Sequence, residues 1–169
     1  MELYSTIDFS DFLRNKRAIV LGIGGGGDIV GTLPTARLME LFGEEAIIGG
    51  VAWERVVFDP QPGARTLEEV EGARPVHETV WWAGGDTRTR TGVRFTEAKV
   101  AELRERDTLL VTVRKGPKAL AEGLVETAHQ LNADRIIGID VGGDAIATGK
   151  EPGLRSPLCD SILVAALAE

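Results

Sequence analysis

Apolar residues in this chain fall into short unbroken runs separated by stretches at helical spacing. Ala18-Ile19-Val20-Leu21 is wholly apolar and runs into a glycine cluster, Gly22 to Gly27, as expected of a central parallel strand covered on both faces. After Asp28 the spacing changes. Ile29, Val30, Leu33, Ala36, Leu38, Leu41 and Phe42 share one broad helical face, and Pro34 predicts a helix start near Thr32, with the proline in the first turn. Glu45 to Trp53 reads as a second strand, ended by Asp59-Pro60-Gln61-Pro62-Gly63.

Thr66 to Glu71 reads as a polar helix or turn, and Val76 to Ala83 as a strand closing at Gly84-Gly85-Asp86. Phe95 to Arg106 is a charged helix, Thr108 to Val113 a clean strand, and Pro117 to Leu131 an amphipathic helix. Arg135 to Val141 is another buried-type strand. Ser156 and Pro157, good residues for an N-cap and a first helical position, open an apolar helix that runs to Glu169. Upstream, Ser5 to Arg17 has the pattern of a short amphipathic helix. Strands alternating with helices predict βαβ units and a mostly parallel sheet, in one α/β domain over residues 1–169. The last helix lacks a C-cap, which fits either deep packing or a chain that forms the N-terminal part of a longer protein.

Composition narrows the function classes. A net charge of −7 repels polyanions, so neither nucleic acid nor an anionic membrane surface is the expected partner. No run reaches transmembrane length, and the N-terminus has no basic start followed by an apolar stretch. The one cysteine, Cys159, excludes an internal disulfide and a cysteine-based zinc site. These features predict a cytoplasmic protein with a small-molecule ligand; self-association stays open.

Candidate chemistry lies in a recurring tripeptide. Gly26-Gly27-Asp28, Gly84-Gly85-Asp86 and Gly142-Gly143-Asp144 each follow a predicted strand at even spacing, and the first and third also match around the tripeptide. Open parallel sheets bind ligands beyond the carboxyl ends of their strands. Loops there would present the N–H groups of Gly24, Gly25, Gly26, Gly27, Gly142 and Gly143 to a ligand. They would also bring Asp28, Asp140 and Asp144 together. Facing carboxylates need a cation, a proton or a hydroxyl-rich ligand between them, and oxygen-only ligation suits Mg²⁺. Each loop alone reads first as a capped strand-to-helix turn; the first and third taken jointly favour a site. Arg88 and Arg90, in a polar stretch after Trp81-Trp82, are candidates to grip an anionic group.

Known motifs are approached but not met. Gly22 to Gly27 fits G-x-G-x-x-G, with Glu54 the nearest acidic residue for a ribose, yet Asp28 stands where a pyrophosphate would lie. Gly143 to Lys150 lacks P-loop spacing. Cys159, in the first turn of the last helix, is expected to be core packing.

Taken jointly, Gly24-Gly25-Gly26-Gly27-Asp28, Trp53-Glu54-Arg55 with Asp59-Pro60, and Gly138-Ile139-Asp140-Val141-Gly142-Gly143-Asp144 resemble the mostly archaeal domain of unknown function 1152 family, across nearly the whole chain. The resemblance implies a Rossmann-like fold, here a three-layer αβα arrangement, and brings no activity with it. Gly142-Gly143-Asp144 is also similar to carboxylate loops of D-glutamate cyclase-like proteins, which keeps a lyase or hydratase in view.

The leading expectation is an enzyme, a metal-assisted hydrolase or lyase, acting on a phosphorylated or polyhydroxylated metabolite or a nucleotide. Asp28 and Asp144 would be catalytic; Asp28, Asp140 and Asp144 would hold Mg²⁺; the glycines, Glu54, Arg88 and Arg90 would bind the ligand. The alternatives are a non-catalytic nucleotide- or metabolite-binding or scaffold module, and an NAD(P)-binding oxidoreductase.

Overall fold

A computed structural model describes residues 17–154 and 156–169. The helix expected over 5–17 lies outside them, save Arg17, which opens the first strand. Six strands form one mixed sheet: β1 (Arg17–Gly22), β2 (Glu45–Val51), β3 (Val70–His77), β4 (Val80–Thr89), β5 (Thr108–Val111) and β6 (Arg135–Ile139). The described helices are α1 (Asp28–Leu41), α2 (Thr96–Arg104), α3 (Gly116–Gln130) and α4 (Pro157–Ala168), with single 3-10 turns at Leu67–Glu69 and Asp144–Ile146. The fold is α/β.

The sheet order is β3-β4-β5-β2-β1-β6. The pairings β5 with β2, β2 with β1, and β1 with β6 are parallel; β4 runs antiparallel to both β5 and β3. Alternate residues of β1 serve opposite faces, as the pleat requires. Ile19 and Leu21 join a core with Leu120 and Leu124 of α3 and Cys159 and Leu163 of α4. Ala18 and Val20 pack on the other side with Ile29, Ala36 and Met39 of α1. Trp81, Ala83 and Leu110 close a third cluster with Phe95 and Ala98.

Two expectations are corrected. The helix after the first glycine cluster starts at Asp28 and continues through Pro34. The carbonyl that Pro34 deprives of its helical donor belongs to Val30, which is half exposed and can turn to water. The single strand expected over 76–83 is a hairpin of β3 and β4, and Gly84-Gly85-Asp86 lies inside β4 instead of ending a strand. Gly84 N–H donates to Thr87 Oγ1 (3.0 Å). A Cβ on Gly85 would stand 3.3 Å from Glu102 Cβ, so this glycine marks where α2 comes close to the strand.

Candidate functional site

Adjacent strands β1 and β6 send their connections to opposite faces, β1 to α1 and β6 to α4. Such a reversal opens a crevice at the carboxyl ends of the two strands, and three aspartates meet there. Asp28 is the first residue of α1 and 5 % exposed; Gly24 N–H donates to its Oδ2 (2.8 Å). Asp140 follows β6. Its Oδ1 accepts from the N–H groups of Gly142 (2.8 Å) and Gly143 (2.9 Å), and its Oδ2 accepts from Ala145 N–H (2.9 Å). Asp160 comes from the first turn of α4, is fully buried, and neither of its carboxyl oxygens has a hydrogen-bond partner among the described residues.

One ligand atom from each of Asp28, Asp140 and Asp160 lies within 4.8 Å of the other two. Opposite corners of a Mg²⁺ octahedron are about 4.2 Å apart and those of a Ca²⁺ shell about 5 Å, so the cluster has the span of a divalent-cation site. Gly24 makes the room: a Cβ there would stand 2.5 Å from Asp28 Oδ2, 2.9 Å from Asp160 Oδ1 and 3.0 Å from Ser156 Oγ.

Electrostatics bear the strain of this crowding. Burial pushes the Asp160 carboxyl up to about 6, with the charges of Asp140, Asp28 and Asp144 adding to the rise and the neighbouring Ser156 hydroxyl opposing it. The Ser156 hydroxyl itself is hydrogen-bonded to Asp144. Asp28 is also raised, first by burial and then by Asp140 and Asp144, against the Gly24 N–H bond and the Arg55 charge.

Asp144 stands near enough for its charge to act on both Asp28 and Asp160, and it takes a further part. Its Oδ2 accepts from Ser156 N–H (2.8 Å) and Ser156 Oγ (3.4 Å), tying the loop after β6 to the start of α4 and so fixing Asp160. Asp160 was missed in the sequence because it sits in an apolar helix; its one signal was a carboxylate on a helix otherwise built for burial. The glycine N–H groups also serve the protein internally. Gly24, Gly142 and Gly143 hold carboxylates, and Gly26 N–H donates to the Trp53 carbonyl (3.0 Å).

Beside the cluster lies a cavity of about 460 Å³ whose lining includes Gly24, Ser156, Glu54 and Arg55. Glu54 Oε1 accepts from Thr96 N–H at the start of α2. The loop carrying Arg55 is pinned by a buried Asp59–Arg65 ion pair and by Thr112 Oγ1 donating to the Arg65 carbonyl. Arg88 and Arg90 line no part of this cavity: Arg88 sits in β4 and pairs with Glu71 of β3 (3.4 Å), and Arg90 follows on the exposed end of that hairpin. Cys159 is core, its thiol donating to the Ile23 carbonyl (3.3 Å) and pushed up by burial.

The model of the family described as protein of unknown function (DUF1152) matches residues 19–169. The chain belongs to the DUF1152 family. No curated protein and no solved structure matches it. The match takes in every DUF1152 segment built into the crevice, from the β1 glycine loop to α4. Among the described residues, no helix is long and apolar enough to cross a membrane.

Proposed function

We propose that this DUF1152 protein is a metal-assisted enzyme, a hydrolase or lyase, with a divalent cation held by Asp28, Asp140 and Asp160. Its substrate is a small phosphorylated or polyhydroxylated metabolite or a nucleotide in the adjoining cavity. The observation that carries this reading is Asp160: a fully buried carboxylate, neither oxygen within hydrogen-bond geometry of a partner among the described residues, set against two other carboxylates. Buried charge without a partner is costly, and a hard cation with oxygen ligands removes the cost. When bound, the cation supplies Lewis-acid polarisation of a substrate oxygen. Asp140, oriented by three N–H groups, and Asp28, held by the Gly24 N–H, would present fixed carboxylates to the cation, which would offset the burial that otherwise raises Asp28. The sheet is read as the mostly parallel core of a Rossmann-like three-layer fold, consistent with α1 and α3 packing on opposite faces.

The test is thermal melting of wild type and Asp160→Asn at pH 7.5, with and without Mg²⁺ or Mn²⁺ and with a panel of nucleotides and phosphometabolites. Wild type should melt higher with metal. Asp160→Asn should melt above wild type in the absence of metal and gain nothing from it. If metal leaves both melting temperatures unchanged, the reading is wrong.

A further inference from the structure

Resting on the cation reading above, we propose that the ligand is a phosphate ester with an apolar body. Its phosphate is gripped by Arg55 beside the glycine loop, and its body lies along Trp53, Val56, Val57 and Pro62. The cavity has two characters. Gly24 and Ser156 in its lining back directly onto Asp28 and Asp160. Glu54 and Arg55 complete the polar lining, and Trp53, Val56, Val57 and Pro62 form an apolar wall. At about 460 Å³ it has the size of a small-ligand pocket.

Arg55 supplies the anion partner. Most described arginines pair with a carboxylate; among the described residues Arg55 pairs with none. Its guanidinium lies across the glycine loop, with Nε 3.2 Å from where a Cβ on Gly26 would stand and Nη2 3.3 Å from one on Gly27. A Cβ at either position would make the guanidinium give by a few tenths of an ångström. A guanidinium with no ion pair among the described residues, beside the glycine loop, suits a bidentate oxyanion.

The apolar wall chooses among phosphorylated compounds. Val56, Val57 and Phe58 are consecutive and 65 %, 69 % and 62 % exposed. Val56 and Val57 line the cavity, Phe58 continues the run beneath Lys99, and exposed apolar side chains in a row are the kind of patch that marks a binding surface. A sugar phosphate would set some of its hydroxyls against valine and proline, beyond the few that Glu54 and Ser156 could partner, whereas a hydrocarbon or aromatic body would cover the wall.

The experiment is calorimetric titration of the Mn²⁺-loaded protein with inorganic phosphate, n-alkyl phosphates from methyl to hexyl, phenyl phosphate and glucose 6-phosphate. Affinity should rise about fourfold per added methylene until the wall is covered, and hexyl or phenyl phosphate should bind more tightly than glucose 6-phosphate. Val56→Ser/Val57→Ser, on exposed positions, should flatten the series while inorganic phosphate and Mn²⁺ bind as in wild type. Arg55→Ala should weaken every phosphate at least tenfold and keep the dependence on chain length. A flat series in wild type, or tighter binding of glucose 6-phosphate, overturns the proposal. If Mn²⁺ itself does not bind, the cation reading fails; the same series run without metal then decides the wall and Arg55 on their own.

Discussion

Glu97 is 1 % exposed, and neither of its carboxyl oxygens meets a hydrogen-bond partner among the described residues. Burial raises its pKa well above the ordinary value, and the charge of Glu54 adds to the rise. The folded state therefore binds this proton more tightly than the unfolded chain does, so stability falls as pH rises above the unfolded value of 4.5. Glu97→Gln should match wild type in urea midpoint at pH 4 and exceed it at pH 8. An equal drop at both pH values would mean that the side chain is held for its shape and not for its proton. Neither Glu97 nor Asp160 was legible as a buried acid. Glu97 lies in a charged helix that reads as a solvated face, and Asp160 in an apolar helix that reads as packing. What buries each of them is contact from elements far away in sequence. The meeting of Asp28 and Asp140 was legible because both stand in glycine-rich segments at strand ends, where local chemistry and topology agree.

Gly22 shows the same agreement for an element junction. A Cβ there would lie 2.4 Å from both the Asp28 carbonyl carbon and the Ile29 nitrogen, so the first turn of α1 rests directly on the end of β1. Backbone cannot step aside as a side-chain tip can. Gly22→Ala should cost about 1–3 kcal/mol, measured by denaturant unfolding, and should weaken Mn²⁺ binding because Asp28 moves with the turn. Loss of stability with unchanged Mn²⁺ affinity would separate the cluster from this junction. Elements with both faces covered, such as β1 and β5, could be read from their apolar runs. The β3–β4 hairpin could not. β3 is an edge strand with a polar pattern and Pro75, and β4 carries two glycines, normally strand-ending residues, in its interior. Its β-branched and aromatic residues, Val80, Trp81, Trp82, Thr87 and Thr89, prevail over them.

Across the whole molecule, stability should be graded from the middle of the sheet outwards. β1, β2 and β5 are almost wholly buried, while β6 is an edge strand that is only partly covered. Native-state hydrogen exchange should find the slowest amides in β1 and β2 and faster ones in β6; uniform protection across the sheet would contradict this gradient. The crevice thus joins a rigid strand to a softer one. Asp28, Asp140 and Asp160 arrive from the end of β1, the end of β6 and the start of α4, and only the finished fold brings them together. On the cation reading, the unfolded chain has nothing comparable to offer the ion. Each tenfold rise in free cation above its dissociation constant would then add about 1.4 kcal/mol to the native state. A chelator would act on this protein as a mild denaturant, and the cell's pool of divalent ions would help set how much of it is folded.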